Sequence, residues 1–279
     1  MGKALTDYEA ATKHRYRIVS GGPSVPGVTT AIGILEKSAL KWASAKIAAQ
    51  TAVDNIGNLY EIASSYRDTL LKSKNPDNVA LGAEGADEDV YAHWCRGSFD
   101  RVWREKADRG TRVHSVAESW VRGETVDVSE TDKGFVDALE AFFKTYRPKV
   151  VMAERIVLHL TLGYGGRFDA IMEIDGKFYL IDFKTGNEYT LETALQAAGY
   201  MGAELATYDD SGALTGTQAL PHLDGARIVY LHEDGTFRVV DPFALVSQAD
   251  ATLAFNTALE LYRITNQLSK TIEKGKNAE

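Results

Sequence analysis

The N-terminal part of the chain has the apolar spacing of a helical region that follows an extended arm. Residues 15–30 combine glycines and prolines and predict a strand-like arm with a turn, and near-helical spacing begins at about Thr29. Residues 73–89 are acidic and weakly apolar, so they predict a solvated loop. A second helical stretch is predicted from about Val90 to Arg122, with a break near residues 108–110.

The middle of the chain predicts one helix and then three strands. Residues 131–147 place their large apolar side chains on one helical stripe, which Pro148 ends. Alternating or β-branched segments follow, and Asp175-Gly176 is a strong hairpin signal between the last two. The predicted strands are residues 150–158, 164–174 and 177–184.

The rest of the chain predicts a helix, two strands and a final helix. A helix is expected over 190–207, a polar loop over 208–225, and two strands around Asp234-Gly235. The final amphipathic helix is expected over 243–268, with a buried stripe made of Leu245, Ala249, Leu253, Leu259 and Tyr262. The core order is therefore helix, three strands, helix, strand, and the chain divides into residues 1–122 and 123–279, which are expected to form one compact unit.

Composition narrows the classes of protein to which the chain can belong. It has 279 residues, a formal charge of -8 and one cysteine, Cys95. One cysteine excludes an intramolecular disulfide, a Cys-based zinc site and an iron–sulfur cluster held by four cysteines. The acidic balance argues against coating nucleic acid by bulk charge, although a local basic groove stays possible. No apolar run reaches the ~18 residues of a membrane span and no secretory signal is seen, so a cytoplasmic location is expected.

Candidate chemistry lies on two neighbouring strands. Alternation puts Asp182 and Lys184 on one face of the strand 177–184, and the hairpin brings Asp169 of the preceding strand near them. Two carboxylates beside a lysine suit Mg²⁺, which prefers oxygen ligands and keeps several waters. The alternative is a surface ion pair between Asp182 and Lys184 on a half-exposed strand.

Four short motifs, in this order along the chain, resemble the PD-(D/E)XK nuclease superfamily. They are R-G-T-R-V-H at 109–114, G-R-F-D at 166–169, I-D-F-K at 181–184, and Gln196 with Tyr200. The chain looks closest to the RecB-like branch, which includes phage and recombination exonucleases and CRISPR-associated RecB-like exonucleases. The order of predicted elements matches the restriction-endonuclease-like core of that superfamily, an α/β fold.

The resemblance implies a role for each matching residue. Ligands for Mg²⁺ or Mn²⁺ are expected from His114, Asp169, Asp182 and the carbonyl of Phe183. Lys184 matches the catalytic lysine. Gln196 and Tyr200 share a helix face and are expected to contact DNA and support the site, although a tyrosine such as Tyr200 is often a core residue. With Cys95 alone, the chain differs from the iron–sulfur members of the branch.

Other residues near these motifs are candidates with alternatives still open. Glu118 lies four residues after His114 and is either a further ligand or a solvated acid. Glu154 either assists the metal or pairs with Arg167. Basic side chains are candidates for phosphate contacts, and the remaining histidines, His14 among them, are expected to be surface or structural. These basic candidates are Lys37, Lys41, Lys46, Arg109, Arg112 and Arg167.

The sequence therefore predicts a metal-dependent DNA nuclease, with an exonuclease of phage or recombination type favoured by the resemblance. DNA is the expected substrate, and a homo-oligomer or a recombination partner protein is possible. No nucleotide cofactor is expected, because the chain has no phosphate-binding P-loop motif. If the chain is encoded by a phage, its location is the host cytoplasm. The alternatives are a non-catalytic DNA-binding or scaffolding relative and a two-carboxylate glycosidase.

Overall fold

The structure is a computed structural model that describes residues 5–35, 38–121, 128–186 and 190–276. It divides into two compact units, one formed by Met1–Leu35 with Gly110–Glu279 and the other by Glu36–Arg109. This differs from the predicted division at residue 122. The reason is that the N-terminal arm belongs with the sheet, on which it forms a parallel bridge between Gly27 and Gly165.

The arm consists of short elements, as the sequence predicts. The first helix, Asp7–Thr12, is capped at its start by Thr6, whose side chain accepts from the backbone N–H of Glu9 while the Glu9 carboxylate accepts from the backbone N–H of Thr6. A two-stranded hairpin and one more short helix follow. The bounds are α1 Asp7–Thr12, β1 Tyr16–Arg17, β2 Ser24–Val25 and α2 Val28–Ile32.

The second unit is helical, but two details of the prediction are wrong. Most of residues 73–89 is helical rather than a loop: Pro76–Glu84 forms a helix, because Asn75 caps the backbone N–H of Asp77 and Pro76 opens the first turn, and a further helix begins at Asp87. The helix break falls at Gly97 and not near residues 108–110. The elements are α3 Ser38–Asn55, a 3₁₀ turn Ile56–Asn58, α4 Leu59–Leu71, α5 Pro76–Glu84, α6 Asp87–Arg96 and α7 Ser98–Val121, which continues into the larger unit.

The larger unit is an α/β fold built on a mixed seven-stranded sheet. Its elements are α8 Lys133–Tyr146, β3 Lys149–His159, β4 Tyr164–Ile174, β5 Lys177–Lys184, α9 Leu191–Met201, β6 Glu204–Tyr208, β7 Leu214–Gln218, β8 Gly225–Leu231, β9 Phe237–Val240 and α10 Gln248–Lys276. The strands lie in the order β7-β6-β3-β4-β5-β8-β9. Strands β5 and β8 are parallel, whereas the other neighbours are antiparallel.

The predicted helix, three strands and helix are present, but a hairpin separates them from the next core strand. The helix predicted over 190–207 ends at Gly202, and its last residues form β6. The loop predicted over 208–225 contains β7. The hairpin at Asp175-Gly176 is confirmed, with φ of 51° and 75° at its two central residues, as a two-residue turn between twisted strands requires.

Helices cover both faces of the sheet. One core joins the sheet to α2, α9 and α10, and the other joins it to α7 and α8. The predicted stripe of the last helix is wrong in part. Leu259 is buried as expected, but Leu245 and Leu253 are 83% and 68% exposed, and Phe255, outside the predicted stripe, is buried. In the described part of the chain, no helix has the length and apolar character that crossing a bilayer requires.

Candidate active site

The centre of the candidate site is an ion pair on β5. The Lys184 ammonium donates to Asp182 Oδ1 at 2.9 Å and lies 2.8 Å from Oδ2. The Asp182 side chain is only 7% exposed and that of Lys184 is 30% exposed. The pair is therefore not the surface ion pair that the sequence left open. A buried pair of this kind is costly to desolvate and contributes little stability by itself, which is typical of a functional site.

Helix α9 holds the lysine from the other side. Gln196 Oε1 accepts from Lys184 Nζ at 3.1 Å, and Gln196 Nε2 donates to Tyr200 Oη at 3.2 Å. Tyr200 is 6% exposed and its ring lies against Gly166, where an added Cβ would come within 2.4 Å of the ring. The structure thus makes Tyr200 a buried support of the lysine, the alternative that the sequence had left open.

Asp169 occupies the fork where β4 and β5 separate. Their paired register ends at Ala170 and Ile181, and beyond it Asp169 Oδ2 accepts the backbone N–H of Phe183 at 2.8 Å. Helix α7 brings His114 to the same oxygen, with Nδ1 at 3.2 Å. Asp169, Asp182 and Lys184 are close enough for their charges to act on one another. The structure therefore brings together the two predicted carboxylates, the lysine and the histidine.

The charges of these groups set their protonation. Burial alone would raise the pKa of Asp169, but the charge and hydrogen bond of His114 outweigh it and lower that pKa. Burial raises the pKa of Asp182, and the negative Asp169 adds to the rise while Lys184 opposes it. Burial would lower the pKa values of His114 and Lys184, but the two carboxylates raise both. The site therefore keeps Lys184 cationic and divides its two acids into a stronger and a weaker one.

Two further acids line a small cavity beside Asp169. The centre of a water molecule can occupy about 10 Å³ of this cavity, so the cavity has room for about one water. Glu154 lies 3.0 Å from Arg167, which is the ion pair that the sequence offered as one of two roles for Glu154. Burial, and then the charge of Asp169, raise the pKa of Glu154 to about 7. The cavity is lined by His114, Ala117, Glu118, Glu154, Asp169 and Phe183.

The donor set suits a divalent cation in its chemistry. Asp182 Oδ2 is buried and, in the part of the chain that the structure describes, accepts no hydrogen bond of regular geometry. Carboxylate and carbonyl oxygens from Asp169, Asp182 and Phe183 are the ligands that Mg²⁺ and Mn²⁺ take. Among the described residues, no three His, Cys, Asp or Glu side chains converge in a metal-binding group.

Some predicted DNA-binding residues have other surroundings. Arg112 makes a two-pronged contact with Asp132, with nitrogen–oxygen distances of 2.6 and 3.0 Å, and this joins α7 to the start of α8. Arg109 is half-buried on α7 in the helical unit. Lys46 is exposed on α3, whereas Lys37 and the side chain of Lys41 lie outside the described residues.

Tyr230 is a neighbour of the site that sequence reasoning missed. It lies opposite Lys184 in the parallel register of β5 and β8 and is 1% exposed. No motif marks Tyr230, because its proximity comes from the pairing of strands that are 46 residues apart. Comparison with known proteins gave no match, either among family models or among curated proteins.

Proposed function

We propose that this protein is a metal-dependent DNA nuclease with a restriction-endonuclease-like core. The observation that carries the proposal is the buried Asp182–Lys184 pair beside Asp169, at the fork of two central strands. The order α8, β3, β4, β5, α9 and β8, with β8 parallel to β5, supports the core, and β6 and β7 are then an insertion. The resemblance of the motifs to the RecB-like branch supports DNA as the substrate.

The residues of the site divide the chemistry between them. Asp169, Asp182 and the Phe183 carbonyl would hold Mg²⁺ or Mn²⁺, with His114 as a further donor once it leaves Asp169. When bound, such an ion supplies positive charge at the phosphate and acidifies water. A lysine ammonium has three N–H donors, and the one that Lys184 gives to neither Asp182 nor Gln196 can orient water or a phosphate oxygen.

Lys184 also provides electrostatic stabilisation. Its raised pKa keeps the ammonium charged at neutral pH, so it offsets the negative charge that develops on the phosphate during attack. Asp182 and Gln196 fix the ammonium from two sides, so it needs little reorganisation when the substrate arrives. Attack by water in line with the leaving oxygen is the step that this arrangement favours.

The proposal is tested by cleavage of labelled linear and circular DNA, single- and double-stranded, in Mg²⁺, Mn²⁺ or EDTA. Wild type should degrade DNA only with metal, and Asp182→Asn and Lys184→Met should each lose at least about a hundredfold in rate. Lys177→Ala is a matched control, because Lys177 is exposed at the far end of the same strand.

Each outcome of this assay decides a point. Cleavage of linear DNA only indicates an exonuclease, and cleavage of circles indicates an endonuclease. Binding of DNA without cleavage in any metal would overturn the nuclease and support a non-catalytic DNA-binding protein. Equal activity in EDTA would overturn the metal dependence. Unfolding temperatures of the variants separate loss of chemistry from loss of folding.

A further inference from the structure

A polar cluster outside the proposed mechanism lies beside Asp169, where the N-terminal arm meets β4. A Cβ on Gly165 would lie 2.6 Å from the side chain of Tyr16, so Tyr16 of the arm lies against this face of β4. Side chains alternate along a strand, so Arg167 points to the same face as Gly165. Arg167 pairs with Ile156 of β3, which places Glu154 diagonally opposite and 3.0 Å away.

One residue of this cluster has an unusual backbone. Glu154, inside β3, has φ of 50°, in the left-handed region that non-glycine residues avoid. Among the described residues, the other non-glycine residues with positive φ are His14 and Arg147, just past the ends of α1 and α8, and Asp175, in a hairpin turn, where this conformation is routine. Left-handed residues without such a reason cluster at binding and catalytic sites, because a functional arrangement holds them there.

The cluster also presents hydrogen-bond donors to solvent. Arg167 is 30% exposed and uses Nε towards Glu154, and its two terminal nitrogens have no partner within the described ranges. Exposed His14 has Nδ1 3.1 Å from Tyr16 Oη. The charge of Arg167 reaches both residues: after burial, it is the second cause that lowers the pKa of His14, and it opposes the rise that burial causes in the pKa of Tyr16.

We propose that Arg167 and exposed His14 form a subsite for the DNA phosphate next to the one that is cleaved, with the hydroxyl of Tyr16, a residue only 3% exposed, holding His14 in place. This inference rests on the proposed nuclease function and adds a second contact to it. A guanidinium matches phosphate with two parallel donors, and Glu154 acts as a positioning residue that fixes its Nε side. Arg167 precedes Asp169 by two strand residues, or roughly 7 Å, which is comparable to the distance between successive phosphates on one strand.

The test uses oligonucleotides of one sequence in which a single phosphate is replaced by a neutral methylphosphonate, one position at a time. Binding by fluorescence anisotropy in Ca²⁺ and cleavage in Mg²⁺ are measured for each. Wild type should lose about tenfold in affinity when the replaced phosphate is the one in the subsite. Arg167→Gln should lose about tenfold on unmodified DNA and show no further loss at that one position. Its slope of log affinity against log salt should fall by about one.

Variants of the other residues complete the test. Tyr16→Phe keeps the ring on Gly165, and His14→Gly accepts positive φ, so both variants should fold. Both should lower the affinity that depends on the subsite phosphate, by a smaller factor than Arg167→Gln. Arg167→Lys keeps the pairing with Glu154 but not the guanidinium geometry, and should fall between wild type and Arg167→Gln. Arg155→Gln is the matched control, an exposed arginine on β3 next to Glu154, and should bind as wild type does.

The two proposals can fail separately. Binding without cleavage by wild type overturns the nuclease, and the anisotropy data still decide the subsite. Cleavage with the same methylphosphonate profile in wild type and Arg167→Gln overturns the subsite alone. The subsite is also overturned if Arg167→Gln binds every oligonucleotide more weakly than wild type by the same factor, including the one whose subsite phosphate is replaced. That result would show a diffuse charge effect.

Discussion

The amide of Gln196 is fixed between Lys184 and Tyr200. Its oxygen accepts from the Lys184 ammonium at 3.1 Å, and its nitrogen donates to the Tyr200 hydroxyl at 3.2 Å. Because an ammonium can only donate, the amide oxygen must face the lysine, and this turns the amide nitrogen towards Tyr200. Gln196 and Tyr200, four residues apart on α9, therefore together fix the orientation of the Lys184 ammonium.

Replacing Gln196 should therefore affect the chemical step more than binding. We expect Gln196→Ala to lower kcat by about 10- to 100-fold with KM within about twofold, as is typical when a group that orients a catalytic residue is lost. Tyr200→Phe should also lower kcat, by a smaller factor, because the ring and its packing are retained. Steady-state kinetics on DNA, with exposed Gln267→Ala as control, checks this, and a rise in KM at constant kcat would show that Gln196 binds substrate instead.

Much of the sheet can be predicted from the sequence, because its signals are local. Strong alternation and the Asp175-Gly176 turn mark β4 and β5, and the positions of Asp182 and Lys184 follow from the period of two. The helical signal over 73–89 was also present, in Asn75 followed by Pro76, but the acidic composition concealed it. The early end of α9 was marked by Gly202, although the alanines that follow it favoured a longer helix.

Tertiary contacts decide the rest, and no local pattern reports them. On α10 the buried residues include Ala251, which packs with Ala194 and Ala198 of α9, whereas Leu253, two residues later, faces solvent. The strands β6 and β7 are short and polar, and Thr and Gly in β7 resemble a loop. His14 and Tyr16 reach Arg167 only because the arm folds back on β4.

Gly166 gives a prediction about packing under the site. A Cβ at this position would lie 2.4 Å from the Tyr200 ring and 3.3 Å from Val28, both inside the core. Gly166→Ala should therefore destabilise the protein by about 1–3 kcal/mol, the usual cost of overpacking, and should also lower kcat because Tyr200 moves. Urea unfolding measures the first effect. Gly57→Ala, where a Cβ meets nothing within 4 Å, should be neutral or slightly stabilising.

Arg112 gives a prediction that separates a structural role from a DNA contact. Its guanidinium is engaged by the carboxylate of Asp132, which is 5% exposed and also accepts from Ser129. Arg112→Ala should lower the unfolding free energy by about 1–3 kcal/mol, because a buried carboxylate loses its partner. The salt dependence of DNA binding should not change, and a slope reduced by about one would instead identify Arg112 as a phosphate contact.

Asp7 gives a prediction about the dependence of stability on pH. Its carboxylate accepts four hydrogen bonds, from Arg17, Ser20, Gly21 and Leu214, which tie α1 to the β1–β2 hairpin and to β7. Burial alone would raise the pKa of Asp7, but these bonds outweigh it and hold the pKa well below the ordinary value. The ionised form therefore stabilises the folded protein at pH above about 4, the range of an unfolded aspartate, and this contribution is lost as the pH falls through the lowered pKa.

The measurement for Asp7 is the gap in unfolding free energy between wild type and Asp7→Asn. We expect Asp7→Asn to cost about 2–4 kcal/mol at pH 7, because an amide cannot accept all four bonds and a buried charged network is broken. The gap should shrink steadily from pH 5 to pH 2 in urea titrations, since wild type protonates Asp7 in its unfolded state. A gap of constant size across this range would show that packing and not ionisation accounts for the role of Asp7. As a control, Asp210→Asn, at an exposed position, should have the same unfolding free energy as wild type at both pH 5 and pH 2.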